Sequence, residues 1–105
     1  MIELNSRQRK ILEKAAHHLE PLVIVGGAGV TEALVKMVDK CLSDHELIKV
    51  KFNEYKEEKQ ELSKKIESET DSTLVRIIGN IATFYRAKDE ILQRQYEKLI
   101  QRMKD

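Results

Sequence analysis

Apolar residues recur at helical spacing from Ile11 through Leu12, Ala15 and Ala16 to Leu19, and Asn5 and Gln8 stand where a capping box needs them. A first helix is predicted there. Pro21 closes it, because a proline steers the preceding residue away from helical geometry. Leu22 to Val25 is an unbroken aliphatic run, which predicts a strand covered on both faces. Thr31 can cap a second helix with the stripe Ala33, Leu34, Met37, Val38, Cys41 and Leu42. Leu47 to Phe52 alternates, with Ile48, Val50 and Phe52 on one face and Lys49 and Lys51 on the other, so a strand with one wet face is expected. From Glu54 to Glu69 only Tyr55, Leu62 and Ile66 interrupt a dense run of Glu and Lys, the pattern of a mostly exposed helix. Thr73–Ile78 and Ile81–Tyr85 are rich in β-branched and aromatic residues and flank Gly79-Asn80, which reads as a hairpin. Beyond Lys88, a stripe of Ile91, Leu92, Tyr96, Leu99, Ile100 and Met103 predicts a tail helix.

The predicted order is therefore α-β-α-β-α-β-β followed by a helix. Strands alternating with helices imply crossovers, hence an α/β (α+β) two-layer domain with a four-stranded mixed sheet. The chain divides into a domain at 1–88 and a helical tail at 89–105. A length of 105 residues suits one modest core.

Charge changes this picture only locally. The net charge of +1 gives no general attraction to polyanions. Residues 72 to 88 nevertheless hold three bases and no acid, whereas residues 52 to 71 hold four bases and seven acids. An acidic helix and a basic hairpin are thus segregated. The single cysteine, Cys41, excludes an intramolecular disulfide framework and a thiolate metal cluster. The start, MIELNSRQRK, lacks the apolar core of a signal peptide, and no apolar run is long enough to cross a bilayer. A soluble cytoplasmic protein without membrane contact is expected.

The turn Gly26-Gly27-Ala28-Gly29 lies between the first strand and the helix capped by Thr31. Such a turn exposes backbone N–H groups beside a helix N-terminus, where the dipole favours an anion. Local sequence alone favours the plainer reading, glycines that simply permit positive φ in a tight turn. There is no Gly-Lys-Ser/Thr ending and no G-x-G-x-x-G, so a P-loop and the dinucleotide fingerprint are both excluded. What remains is G-x-x-G, the loop by which KH-type modules hold a nucleic-acid backbone. Arg7, Lys10, Lys14 and His17 share one face of the first helix, and Arg76, Arg86 and Lys88 form the second basic group. Either is a candidate phosphate track, and either is equally readable as a solvated face.

Nothing in the sequence assembles catalytic chemistry. His45 stands at a helix C-terminus, where a dipole-friendly group is expected. His17 and His18 adjoin, the wrong spacing for helical metal ligands. Cys41 falls on an apolar stripe and is expected in the core. Of Phe84 and Tyr85, strand alternation leaves at most one free to stack on a base. No enzyme, metal or cofactor is expected.

The stretches "RQRKILEKAAHHLEPLVIVGGAGVTEALV", "DHELIKVKF" and "LVRIIGNIATFYR" together resemble the single-domain bacterial YhbY-like proteins, whose module is the chloroplast RNA splicing and ribosome maturation domain. The resemblance covers about residues 3 to 88. It implies a fold similar to the C-terminal domain of the bacterial initiation factor that prevents premature subunit joining. It also implies a KH-like RNA-binding module working on ribosomal RNA or the precursor of the large ribosomal subunit. Gly26, Gly27, Ala28 and Gly29 match the family loop, whose middle often carries a polar or basic residue. Gly27-Ala28 here shifts phosphate affinity onto the amides, Thr31 and the neighbouring bases Arg7, Lys10, Lys14, Arg76, Arg86 and Lys88. The tail lies outside the resemblance; packing back on its own domain as a monomer is expected. Two competing readings are a protein-interaction module docking through the tail and a binder of a small phosphate ligand.

Overall fold

Asn5 and Gln8 bond reciprocally, Gln8 N–H to Asn5 Oδ1 at 2.8 Å and Asn5 N–H to Gln8 Oε1 at 2.9 Å, which fixes the start of helix α1 at Ser6–Ala16. The computed structural model describes residues 3–88 together with Arg94, Tyr96, Glu97 and Ile100. After α1 come strand β1 (Val23–Val25), helix α2 (Glu32–His45), strand β2 (Leu47–Phe52), a 3₁₀ turn (Lys56–Glu58), helix α3 (Lys59–Thr70) and strands β3 (Thr73–Ile78) and β4 (Ile81–Tyr85). The sheet order is β1-β2-β4-β3; β1 runs parallel to β2, and β4 is antiparallel to both its neighbours. The predicted fold class is the one observed. Most of the tail stripe, including Leu92, Leu99 and Met103, lies outside the described residues.

Strand parity sorts the core into two clusters. Ile48, Val50 and Phe52 of β2, Val23 and Val25 of β1, and Ala82 and Phe84 of β4 pack on Val38 and Leu42 of α2 and Ile66 of α3. On the opposite face, Leu47, Val75 and Tyr85 meet Leu4, Leu12 and Ala16 of the α1 segment, joined by Ile100. Helix α1 thereby adds a partial layer to the sheet and the α2/α3 layer. It reaches only one end of its face. The register shift between Leu74 and Arg76 is a bulge in β3. It lets Val75 join the core under α1 while Arg76, two positions before Ile78, faces out. Arg9 clasps the bulge, its guanidinium donating to the Leu74 and Val75 carbonyls at 2.6 and 2.8 Å.

Three expectations are corrected and a fourth is narrowed. Helix α1 stops at Ala16, before Pro21 can act, because the Leu19 amide turns back to the Ala16 carbonyl at 2.9 Å. Strand β1 is not covered on both faces. It is an edge strand, so Val23 and Val25 are buried while Leu22 and Ile24 are 47% and 55% exposed. The stripe of α2 is narrower than predicted: Ala33 and Met37 are exposed, and Val38 and Leu42 carry the burial. Neither Phe84 nor Tyr85 is free to stack, since α2 and α3 cover one and α1 with Tyr96 covers the other. The rings of Tyr85 and Tyr96 meet edge to face, 6.3 Å apart.

Burial first, and the Glu46 and Glu97 carboxylates after it, push the Tyr85 phenol from 10.0 up to about 12. The unfolded chain therefore loses this proton first as pH rises, and the stabilisation present below pH 10 is lost between pH 10 and 12. Denaturant titrations across that window should show a steeper loss of stability for the wild type than for Tyr85→Phe. Parallel losses would refute the assignment to Tyr85.

Candidate nucleic-acid interface

Strand β1 delivers the chain into the glycine turn at one end of the sheet. The Gly29 amide donates to the Gly26 carbonyl at 3.0 Å, closing a four-residue turn with Gly27 and Ala28 at its tip. Gly29 has φ 75°, which favours glycine. The Thr31 hydroxyl then accepts from the Leu34 amide at 3.1 Å and caps α2 as predicted. Among the described residues, no carbonyl accepts from the Gly27 or Ala28 amides.

The segment after β2 buttresses this turn. The Asn53 and Glu54 amides both donate to the Val25 carbonyl, at 3.1 and 3.2 Å. The Tyr55 hydroxyl donates to the Gly27 carbonyl at 2.8 Å. In a trans peptide the C=O and the following N–H point in opposite directions. Anchoring the Gly27 carbonyl on Tyr55 therefore turns the Ala28 N–H away from the ring.

Beside the turn lies the half of the sheet face that α1 leaves open. Its residues follow from register: Ile24 of β1 pairs with Lys51 of β2, Lys51 with Ile81 of β4, and Lys49 with Thr83. Lys10, Glu13 and Lys14 of α1, with His17 just past its end, form one bank of a depression of about 480 Å³, and Lys49, Arg76, Ile78 and Thr83 form the floor and the other bank. Four permanent cations face one carboxylate, and that carboxylate, Glu13, holds Arg76 at 2.9 Å. The Lys49 ammonium reaches the His17 carbonyl at 3.5 Å, at the negative end of α1. Ile78 is 60% exposed. Lys51 continues the cationic line toward β1 and the glycine turn.

The predicted basic residues do not stay together. Arg7, Lys10 and Lys14 lie exposed along α1, and Arg76 joins Lys10 and Lys14 across the depression. Arg86 and Lys88 lie past the other end of β4, about 17 Å along the strand direction from Ile81. The Arg86 guanidinium donates to Asp39 Oδ1 at 2.6 Å, the Asp39 carbonyl at 2.9 Å, Ser43 Oγ at 2.9 Å and the Thr70 carbonyl at 2.7 Å. It ties α2 to the end of α3. The Lys88 amide is held by the buried Glu46 carboxylate at 2.8 Å.

Sequence reasoning passed over Lys49, Lys51 and Tyr55. The alternation of LIKVKF did mark both lysines as wet. Only the register shows that they extend the α1 bases toward the glycine turn. Tyr55 gave no signal, because its position depends on a left-handed backbone at φ 56°.

The chemistry available is anion binding. Among the described residues, no group of three His, Cys, Asp or Glu side chains could hold a metal ion. No helix among them is long and apolar enough to cross a membrane. Cys41 is half-buried, and burial followed by the Asp44 charge pushes its thiol up, away from reactive thiolate.

A family model for the CRS1 / YhbY (CRM) domain matches residues 4–86. The chain is 40% identical over 91 residues to a Haemophilus influenzae protein named RNA-binding protein, covering 86% of this chain and 92% of that one. It is 36% identical over 84 residues to a probable RNA-binding protein of Pseudomonas aeruginosa, covering 79% and 81%. Its fold matches the solution structure of a hypothetical Staphylococcus aureus protein, a candidate RNA-binding protein. There the TM-score is 0.73 and the identity 32%, over 89% of this chain and 98% of that one.

Proposed function

The chain belongs to the CRS1 / YhbY (CRM) domain family, and from that premise we propose that it binds RNA without catalysis. The observation that carries this reading is the continuity of the glycine turn with the open, cationic half of the sheet. Phosphate contacts need free amides and a row of cations; the Gly27 and Ala28 amides, unbonded among the described residues, and the cationic depression beside them support this reading. The Gly27 and Ala28 amides, with Gly26, Gly29 and Thr31 shaping the turn, hold one phosphate. Lys51, Lys49, Arg76, Lys10 and Lys14 carry the backbone onward, and Arg7 extends the track along α1. Arg86 and Lys88, at the far end of the sheet, serve the fold. The target we propose is ribosomal RNA in a precursor of the large subunit, bound by a cytoplasmic monomer whose tail packs on its own domain. Tyr96 and Ile100, seated against Tyr85 and Gln8, support that packing.

The test is Gly27→Asp. A Cβ at Gly27 would meet nothing within 4 Å, so the variant should fold. Its carboxylate places negative charge at the proposed phosphate contact. RNA affinity in fluorescence anisotropy should fall about tenfold or more, with an unchanged circular dichroism spectrum. Equal affinity in the folded variant would refute the loop as the contact. Sucrose-gradient co-sedimentation with large-subunit precursors tests the target; migration with free protein alone would reject it.

A further inference from the structure

Tyr55 holds φ 56° and ψ 38°, a left-handed geometry that costs a bulky residue more than glycine or asparagine. What it gains there is the glycine turn. Its hydroxyl reaches Gly27, and Cε2, Cζ and Cδ2 of the ring lie 3.4 to 3.9 Å from where a Gly29 Cβ would stand, a spacing that seats Gly29 over one face of the ring at its Cε2 side. Those contacts use the hydroxyl and part of one face, and leave the other face for a ligand. The residue is still 43% exposed. The ring also borders an open depression of about 690 Å³ shared with Gly27, Asn53, Glu54 and Glu57.

Resting on the RNA-binding reading above, we infer that Tyr55 is a base-stacking residue. A nucleotide whose phosphate is held at the Gly27 and Ala28 amides lays its base on the open face of the ring. The hydroxyl bond fixes that distance, because it anchors the ring to the same peptide unit that presents the Ala28 N–H. The surroundings of the ring suit a base better than a phosphate. Glu54, Glu57 and Glu58 line the depression against the single cation Lys56, a balance that disfavours phosphate, while carboxylates accept hydrogen bonds from the amino groups of bases. A paired, stacked base offers no free face to an aromatic side chain. The substrate class is therefore RNA with unpaired nucleotides, in a loop, bulge or end, rather than continuous duplex.

The chain has no tryptophan, so Tyr55→Trp introduces a single fluorescent reporter at the site. The probes are an unstructured ten-nucleotide RNA of mixed A and C and the same strand annealed to its complement. Single-stranded RNA should quench the Tyr55→Trp emission, and the duplex should do so far less. Tyr55→Phe, which keeps the ring, should bind the single strand within a few-fold of wild type. Tyr55→Leu should bind about tenfold more weakly. Thermal melts of each variant establish that it is folded. Leu as tight as wild type, Phe as weak as Leu, or equal quenching by both probes would overturn stacking and leave Tyr55 a brace for the turn. A wild type that binds neither RNA rejects the RNA-binding reading itself, and stacking with it.

Discussion

Replacing Lys10, Lys14, Lys49 and Arg76 together by Gln should collapse RNA affinity and flatten its salt dependence. Each phosphate contact releases condensed counterions, so each contributes about 0.7 to 0.9 to the slope of log affinity against log salt. Four lost contacts should reduce that slope by about 3. At 50 mM salt, where counterion release counts most, affinity should drop by about two orders of magnitude. The cost to the fold is small. The lysines are exposed or half-exposed, and Arg76 gives up only a surface ion pair with Glu13, worth about 1 kcal/mol or less. Melting temperature and slope therefore separate cleanly. Changing Lys64 and Lys65 of α3 to Gln removes charge from the acidic helix on the other side of the sheet and should leave the slope alone. Equal slopes for the wild type and the quadruple variant would make the depression an ordinary solvated surface.

The fold was legible because its signals are local. The Asn5–Gln8 box, the Thr31 cap and the alternation of Leu47–Phe52 depend on spacing alone, and each is observed. The hairpin strands likewise begin and end where the runs of β-branched and aromatic residues do. The failures share another cause. Leu22–Val25 reads as a doubly covered strand because aliphatic residues look alike whether a second layer covers them or one face stays open to solvent. Only the edge position of β1 decides that. For a related reason parity limits Phe84 and Tyr85 to at most one free ring but cannot show that both are covered, since it assigns faces without saying which faces helices cover. The site was half legible. The glycine turn and the α1 bases stand out in the chain, whereas Lys49 and Lys51 join them only through strand register. Arg86 shows the converse: nothing in its basic segment foretells the four hydrogen bonds that its guanidinium makes to α2 and the end of α3.

Arg86→Ala should unsettle the protein while sparing its RNA affinity. The guanidinium makes four hydrogen bonds, two of them to backbone carbonyls, and its side chain is only 22% exposed. Truncation leaves the Asp39 and Thr70 carbonyls without this donor and unties α2 from the end of α3. Hydrogen bonds to a charged group at a partly shielded site support an estimate of about 2 kcal/mol for the loss. For a domain of this size that lowers the melting temperature by about 10 °C. Arg86→Lys should recover little, because a single ammonium cannot span the fork that the planar guanidinium fills. RNA binding at a temperature where the variant is folded should match wild type in both affinity and salt slope, since Arg86 follows Tyr85 at the end of β4 remote from the glycine turn. The quadruple variant of the depression should do the reverse, losing affinity and keeping its melting temperature. A folded Arg86→Ala protein with a reduced salt slope would place this residue on the RNA after all. The track would then have to run past both ends of the sheet.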